Sequence, residues 1–289
     1  AGLLAFAPFS RDAIAKALWL EGRTLQQACG ELVNFGLLLR HNGEYEVAHA
    51  LIHTYARLSL KHDAGTVARL VIYYISFAST NSGQWALFDH VRPHALTLVN
   101  MCLQYEVHDL IIYLEDAFDE YFDFQGYWHE RIAALDAALY TVQVRPNDHN
   151  KGALLVRLGV TWRNLGDLDK AIYYYEQVKE IARHTNNPDM EFTALNNLGN
   201  AYADYGQVEQ ARLHLEQALE ISEGQNKVQE TGDVLNNLGS VYVSVGKLEA
   251  AVICYERSLS ISRTLGNLRS ESMSLGNLGS IYFKLKQFE

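Results

Sequence analysis

The chain has 289 residues, of which 48% are hydrophobic and 20% are charged, and its formal net charge is −10. This length accommodates about two domains, and no uninterrupted apolar run reaches the ~18–20 residues of a membrane-spanning helix, which excludes a helical membrane protein. The acidic charge disfavours nucleic acid as a partner, because phosphate contacts need clustered Lys and Arg.

Charge distribution and cysteine usage indicate the kind of partner and the cellular compartment of the protein. Residues 1–62 carry six Lys and Arg against five Asp and Glu, a net charge of +1, so the remaining residues carry a net −11. This acidic region suits a basic or neutral partner; the alternative is that its charges only solvate outer helix faces. Cys29, Cys102 and Cys254 lie far apart without metal-ligand spacing, which indicates buried thiols in a reducing compartment and a cytoplasmic protein.

Residues 1–61 are predicted to form a small domain that contains both helices and strands. Ser10 is placed to cap a first helix, and a second helix follows from Leu25 to Phe35. The segment from Leu37 to Val47 is predicted to be a β-hairpin, because its central Asn42-Gly43 is the strongest short hairpin turn. Two or three helices followed by a hairpin make a winged helix-turn-helix.

A winged helix raises the possibility of DNA binding. The predicted recognition helix, Leu25 to Phe35, carries no Lys or Arg, and Glu31 is its only charged residue. A helix of this composition has nothing to place against phosphates. We therefore disfavour DNA binding and keep it as the weakest alternative.

The segment after the hairpin resembles the end of the winged-helix domain in STAND-type signalling NTPases, the class that includes NB-ARC proteins. In that family a Met-His-Asp motif follows the wing, and its His contacts the ADP of the inactive state. Ala48-His49-Ala50 occupies this place, so the resemblance implies that His49 senses nucleotide in a full-length parent, although the Met and Asp are absent. The alternative is that His49 and His53 are partly buried helix residues. No third ligand accompanies them, so no metal site is predicted.

Residues 62–147 are predicted to form a helical connector. An apolar helix through Val67 and Phe77 should end at Asn81-Ser82-Gly83, and a second, Trp85 to Tyr105, contains Pro93, which should kink or split it.

Two further helices, Leu110–Phe124 and Tyr127–Tyr140, are in register with the repeats that follow, since Gly126 precedes Gly166 by 40 residues. Arg131 stands where those repeats have a small Ala, so we expect looser packing in this degenerate unit.

Residues 148–289 contain a repeated pattern. Leu-Gly pairs recur at a fixed spacing of 40 residues, and each is followed by an aromatic residue, a Gly, a small residue and a large apolar residue. A fixed period of this length is the signature of a stacked repeat array. The pairs are Leu158-Gly159, Leu198-Gly199, Leu238-Gly239 and Leu278-Gly279.

Each repeat is predicted to be a helical hairpin. Leu195, Leu198 and Tyr202 share one helix face, and Gly206 can take the left-handed conformation that ends a helix. A second helix follows, and the small Ala211 allows it to approach the first. A hairpin with two apolar faces cannot bury both alone, so neighbouring hairpins must stack.

The order Leu-Gly, aromatic, Gly, Ala, aromatic resembles the tetratricopeptide repeat (TPR), in the long form found in kinesin light chain and in many bacterial signalling proteins. The resemblance implies a mostly α protein in which the winged helix precedes a right-handed α-α superhelix, the TPR solenoid. About three and a half repeats are present. Because Ala1 is not an initiator Met and Glu289 ends within a unit, we expect a fragment of a longer chain whose repeats continue.

In TPR arrays the first helix of each pair lines a concave groove, and the resemblance implies that an Asn at one position hydrogen-bonds a peptide backbone. An amide side chain offers both a donor and an acceptor, which suits a peptide group. The alternative is that these Asn residues cap or bridge neighbouring helices. Arg157 and Arg163 alone do not make a clamp for a C-terminal carboxylate. The predicted ligand-binding residues are Arg157, Asn196, Asn197, Asn200, Asp204, Asn236, Asn237, Ser240, Ser244, Asn277 and Lys284.

Catalytic motifs are absent from the sequence. It holds no Gly-x-x-x-x-Gly-Lys-Ser/Thr phosphate loop and no Gly-x-Ser-x-Gly. We predict a non-catalytic scaffold for a protein or peptide ligand, the sensor and regulatory arm of a STAND ATPase. The NTPase domain, which would bind ADP or ATP, would then lie upstream on the same polypeptide; no cofactor is predicted for this chain. The alternatives are a constitutive TPR adaptor and, last, a DNA-binding regulator.

Overall fold

The computed structural model describes residues 9–18, 22–34, 38–42, 44–47, 63–144 and 147–286. The chain divides into two compact units, Ala1–Arg145 and Pro146–Glu289. His49 and His53, together with the Met-His-Asp-like segment, lie outside the described residues. None of the described helices is both long and apolar enough to cross a bilayer.

The first part of the first unit combines two helices with a small sheet. The three antiparallel strands have the order β1-β3-β2, and β1 was not predicted. It pairs with the hairpin through Phe9 opposite Tyr45. The elements are β1 Phe9–Ser10, α1 Arg11–Leu18, α2 Gly22–Asn34, β2 Leu38–His41 and β3 Glu44–Val47.

The predicted hairpin and the first helix cap are both present. Strands β2 and β3 pair antiparallel, with His41 opposite Glu44, and Asn42 between them has a φ of 50°. The Oγ of Ser10 accepts a hydrogen bond of 3.2 Å from the amide of Ala13 at the start of α1. Helix α2 begins earlier than predicted and so includes the exposed Arg23. The assignment of these elements to a winged helix remains a prediction.

Residues 63–144 form four long helices, as the connector was predicted to have. Helix α4 continues through Pro93, so the proline does not split it. Gly126 directly follows α5 and caps its C-terminal end. Its φ of 73° is the left-handed conformation for which glycine is suited. The helices are α3 Ala64–Thr80, α4 Trp85–Gln104, α5 Asp109–Gln125 and α6 Trp128–Val144.

Arg131 in α6 stands between two helices that approach each other less closely than the two helices of each later hairpin, as the sequence predicted. Its residue is only 5% exposed, and its Nε and Nη2 donate to the carboxylate of Asp119 at 2.6 and 3.0 Å. Its Nη1 donates to Asp123. Because a buried cation is tolerated when it is paired and hydrogen-bonded, the long side chain fills the space and links α5 to α6.

The second unit consists of helices that follow one another as hairpins. Each hairpin consists of a first helix and a second helix. The last helix that the structure describes is the first helix of a further hairpin. The first helices are α7 Asp148–Asn164, α9 Pro188–Asp204, α11 Val228–Ser244 and α13 Leu268–Lys286, and the second helices are α8 Leu168–His184, α10 Val208–Gly224 and α12 Leu248–Leu265.

The predicted helix stops and close approaches are confirmed. Gly206 follows α9 with a φ of 79°. A Cβ on Gly199 would lie 2.5 Å from Cγ of Leu215, so only glycine lets α9 and α10 approach this closely. Leu195, Leu215 and Leu235, from three successive helices, belong to one buried cluster, which confirms that neighbouring hairpins stack to share a core.

Candidate functional site

The first helices of the second unit are joined directly to one another. Asn237 Nδ2 donates to Asn196 Oδ1 at 3.0 Å, and Asn277 Nδ2 donates to Asn236 Oδ1 at 3.3 Å. Both bonds span 41 residues, that is, one repeat and one further position. We call the surface that these helices share the first-helix wall. It carries the residues predicted from the sequence, namely Arg157, Asn196, Asn197, Asn200, Asp204, Asn236, Asn237, Ser240, Ser244, Asn277 and Lys284.

Asn197 behaves differently from Asn237 and Asn277. The Nδ2 of Asn197 donates to the carbonyl of Thr193 in its own helix at 2.9 Å. The residue that would bridge to it, 41 positions earlier, is Val156, which has no polar group. The structure therefore shows the bridging role of the Asn residues at two junctions between repeats, and their contact with a ligand stays a prediction.

The bridging amides retain hydrogen-bonding capacity. A primary amide has two donor hydrogens and an oxygen with two lone pairs, and the bridge uses one donor of Asn237 and one lone pair of Asn196. Asn236 is only 6% exposed, so its function is structural. The remaining capacity lies on the half-buried Asn196, Asn197, Asn200, Asn237 and Asn277.

The two predicted serines use their hydroxyl groups within the protein. Ser240 Oγ donates to the carbonyl of Asn236 at 3.2 Å and lies 3.0 Å from the hydroxyl oxygen of Tyr255. Ser244 Oγ donates to the carbonyl of Val241 at 2.7 Å. Each serine is exposed and still has a lone pair with which it can accept a hydrogen bond.

The predicted charged residues of the wall are spread over its two ends. Arg163 Nε donates to Asp204 Oδ2 at 2.6 Å, which joins α7 to α9. Arg157 is half-buried on α7, and Lys284 is exposed on α13. Asp233, exposed on α11 one helical turn before Asn237, adds a carboxylate to the central part of the wall, and Arg163 is already occupied by an internal carboxylate.

Beneath this ion pair lies a tyrosine that sequence analysis did not single out. Tyr175 is fully buried, and among the described residues its hydroxyl has no hydrogen-bond partner. Burial raises the pKa of Tyr175. Two repeats later, the equivalent residue Tyr255 forms a hydrogen bond with Ser240. The repeat that contains Tyr175 has Val160 at the position of Ser240, and valine has no polar group to bond the tyrosine hydroxyl. Aligning the repeats would have revealed this mismatch.

A groove on the wall was also missed. It lies between α7 and the start of α9 and has a volume of about 420 Å³. The signal was present in the repeat alignment, where Val156 departs from Asn196 and Asn236, but an apolar residue at one position did not suggest a cavity. The groove is lined by His149, Gly152, Ala153, Val156, Arg157, Asn187, Asp189, Met190 and Thr193.

Comparison with known families identifies the repeats. Residues 150–224 and 230–289 match the model of the tetratricopeptide repeat. These two segments are tetratricopeptide repeats. No protein with a curated description matches the chain in sequence.

Solved structures share the fold at low sequence identity. BtubC from P. vanneervenii is 21% identical with a TM-score of 0.57, over 75% of this chain and 85% of that chain. A putative kinesin light chain with TPR-like repeats from Podosopora anserina is 17% identical with a TM-score of 0.55, over 67% and 96%.

A third structure matches almost the whole of this chain. It is a STAND protein with a tetratricopeptide repeat sensor from Pyrococcus horikoshii, 18% identical with a TM-score of 0.55, and the match covers 99% of this chain and 48% of that chain. This chain therefore spans about half the length of that protein. In the part of the chain that the structure describes, no three His, Cys, Asp or Glu side chains are grouped so that they could hold a metal ion.

Proposed function

We propose that this chain is the sensor and regulatory arm of a STAND-type signal-transduction ATPase. Its TPR array is a scaffold suited to protein binding. The observation that carries the proposal is the match over 99% of this chain to a STAND protein with a TPR sensor, because a match of that extent includes both the small N-terminal sheet and the repeats. In this proposal the chain itself is non-catalytic, and ADP or ATP binds to an NTPase domain upstream on the same polypeptide.

The first-helix wall is proposed to hold an extended protein or peptide segment. Its centre offers amide donors and acceptors on Asn197, Asn200, Asn237 and Asn277, which match the needs of a peptide backbone whatever its side chains. Binding there would act on the upstream domain through the N-terminal unit, in which His49 is proposed to contact nucleotide.

The test begins with the gene and continues with the full-length protein. We expect a Gly-x-x-x-x-Gly-Lys-Ser/Thr motif in the reading frame upstream of Ala1, and an ATP hydrolysis rate that changes when residues 148–289 are deleted. A reading frame without that motif would refute the sensor arm and leave the TPR adaptor.

A constitutive adaptor is the second candidate, because the Asn196–Asn237 and Asn236–Asn277 bridges hold the wall in one arrangement. Peptide affinity of the full-length protein separates the two candidates. A sensor should bind its ligand with different affinity in the presence of ADP and of a non-hydrolysable ATP analogue, because binding and nucleotide state are linked. An adaptor should bind equally well with both.

A flat DNA titration at low salt would remove the DNA-binding alternative.

A further inference from the structure

The second helices of the second unit repeat an exposed apolar position. Tyr173 on α8, Leu213 on α10 and Ile253 on α12 are 40 residues apart, and 62%, 41% and 60% of their surfaces are exposed. Exposed apolar residues that are scattered singly are ordinary on a protein surface, whereas a group that shares one surface indicates an interaction site. We call the surface that carries these three residues the second-helix face.

Acidic side chains flank this apolar position in all three helices. Each apolar residue follows an acidic residue by four positions and precedes a glutamate by three, so the three side chains lie on one face of their helix. The pattern of acidic, apolar and acidic residues therefore recurs with the period of the repeat. The acidic residues before the apolar position are Asp169, Glu209 and Glu249, all exposed, and those after it are Glu176, Glu216 and Glu256.

The second helices are neighbours on this face. Arg257 Nη2 on α12 lies 2.6 Å from Glu223 Oε1 on α10, and both side chains of this ion pair are about half exposed. Burial, followed by the charge of Lys179 on α8, lowers the pKa of His214 on α10, so α8 and α10 are neighbours as well. The three apolar residues therefore form one row across the helices, with a row of carboxylates on each side.

The surplus charge of this face is negative. Every Lys and Arg of the three helices is paired with a carboxylate, whereas Glu220, Glu249 and Glu256 are exposed and form no ion pair with a described residue. Tyr282 donates a hydrogen bond of 3.3 Å to Glu256, but a neutral hydroxyl leaves the charge of the carboxylate in place. A partner that matches this face therefore carries positive charge. The paired cations are Lys170, Lys179, Arg183, Arg212, Arg257 and Arg263.

An apolar row between two acidic rows matches one side of an amphipathic helix. Such a helix has an apolar stripe with polar residues on both sides of it, and Lys and Arg can extend from the edges of the stripe to charges beyond it. A helix that lies along the row would place its stripe on Tyr173, Leu213 and Ile253 and its cations on both rows of carboxylates. An extended strand presents alternate side chains in a single line, so it could meet only one of the rows.

We infer that the second-helix face is a docking site for a basic amphipathic helix of a protein partner. The site is separate from the first-helix wall, because it is built from the second helices and from different residues. It does not depend on the proposed peptide site or on an upstream NTPase domain.

The test uses the whole chain and a displayed library of randomised single helices. The library is first depleted on the folded variant Tyr173→Ser/Leu213→Ser/Ile253→Ser and then selected on the original chain. We expect enrichment of helices whose apolar stripe has Lys or Arg on both sides. The triple variant should bind them about tenfold or more less tightly, because it loses the burial of apolar side chains. Added salt should also weaken binding, because exposed charges are screened.

Two further variants control for general surface effects. Leu268→Ser/Met273→Ser/Phe283→Ser removes as many exposed apolar side chains from α13 and should leave the affinity of the selected helices unchanged. Glu249→Lys reverses a charge beside the apolar row and should weaken binding. It also replaces the triple variant in the depletion step if that variant fails to fold. Circular dichroism and thermal melting check the fold of each variant.

The possible outcomes either support or overturn the docking site. Selected helices that bind the triple variant or Glu249→Lys as tightly as the original chain would overturn it, and so would enrichment of helices with acidic or uncharged flanks. Absence of enrichment above heat-denatured protein would overturn it as well. Helices that lose affinity for Asn237→Ala and keep their affinity for the triple variant would bind the first-helix wall, which would overturn the second-helix face and leave the proposed function intact.

Discussion

The repeat position occupied by Arg131 in the pair α5–α6 is occupied by Ala211 in the pair α9–α10. Ala211 is fully buried and lets two helices approach closely, beside Gly199. Arg131 is buried as well but pairs with Asp119 and Asp123. The same repeat position is thus compatible with two interiors, one of close apolar packing and one of a hydrogen-bonded ion cluster between helices that lie less close together. The comparison shows that the 40-residue period specifies where helices run and leaves open what holds them together.

The ion cluster should be the more sensitive of the two interiors. Arg131→Ala removes the guanidinium that donates twice to the carboxylate of Asp119, whose side chain is 15% exposed, and we expect the free energy of unfolding to fall by about 3 kcal/mol. Urea denaturation of the variant measures this. The matched control adds Asp119→Ala and Asp123→Ala, which should recover much of the loss. Equal stability of Arg131→Ala and the original chain would mean that the cluster contributes nothing.

The close approaches between helices can be tested at Gly239 and Gly279, which occupy the same position in two successive repeats. A Cβ on Gly239 would lie 2.7 Å from Cε1 of Tyr255, whereas a Cβ on Gly279 meets nothing within 4 Å. Gly239→Ala should therefore destabilise by about 2 kcal/mol through overpacking. Gly279→Ala should be neutral or stabilising, by up to about 1 kcal/mol, because alanine favours a helix. Gly239→Ala should therefore lower the urea midpoint and Gly279→Ala should not; an equal fall in both variants would contradict the role assigned to Gly239.

Substitution of the asparagines of the first-helix wall should have a smaller effect on the free energy of unfolding. Asn237→Ala removes a hydrogen bond between α9 and α11, and we expect it to cost about 1 kcal/mol of unfolding free energy. Asn197→Ala removes only a bond within α9 and should cost less. Thermal melting of both variants measures the difference. Equal losses would show that the bridge adds nothing to the stability of the junction.

The smallest expected effect is a dependence on pH from His214. Its ring stacks on Tyr202, with centroids 5.3 Å apart, and burial, followed by the charge of Lys179, lowers the pKa of His214 below its usual range. Glu176 opposes this shift and Arg183 adds to it. The folded state therefore binds the proton less tightly than the unfolded chain.

The contribution of neutral His214 to stability is thus complete above the unfolded pKa of about 6.5, and it is lost as the pH falls through that value towards the folded pKa. His214→Phe keeps the stacked ring and removes the titration. Urea midpoints at pH 7.5 and 5.5 should differ less for this variant than for the original chain. His184→Phe, on the surface of α8 where the side chain is 79% exposed, is the control that should leave the difference unchanged.

The sequence predicted the helices of the second unit and their glycine stops, because these depend on residues close together in the chain. Gly206 and the Leu198-Gly199 pair are local signals with a fixed period, and Asn42-Gly43 marked the hairpin in the same way. Residues 1–61 yielded less: β1 is two residues long and pairs with Tyr45, 36 residues away from Phe9, so no local pattern announces it.

The same distinction between local sequence signals and tertiary packing applies to the candidate site. Sequence alone determined that the first helices carry a periodic row of asparagines, because amphipathic periodicity assigns each residue to a helix face. Only the tertiary structure decided that Asn196 bonds Asn237, that Arg131 is buried with two aspartates, and that Gly152, Val156 and Met190 enclose a groove. These depend on the distance and rotation between helices, which arise from the packing of side chains distant in sequence and from no single repeat.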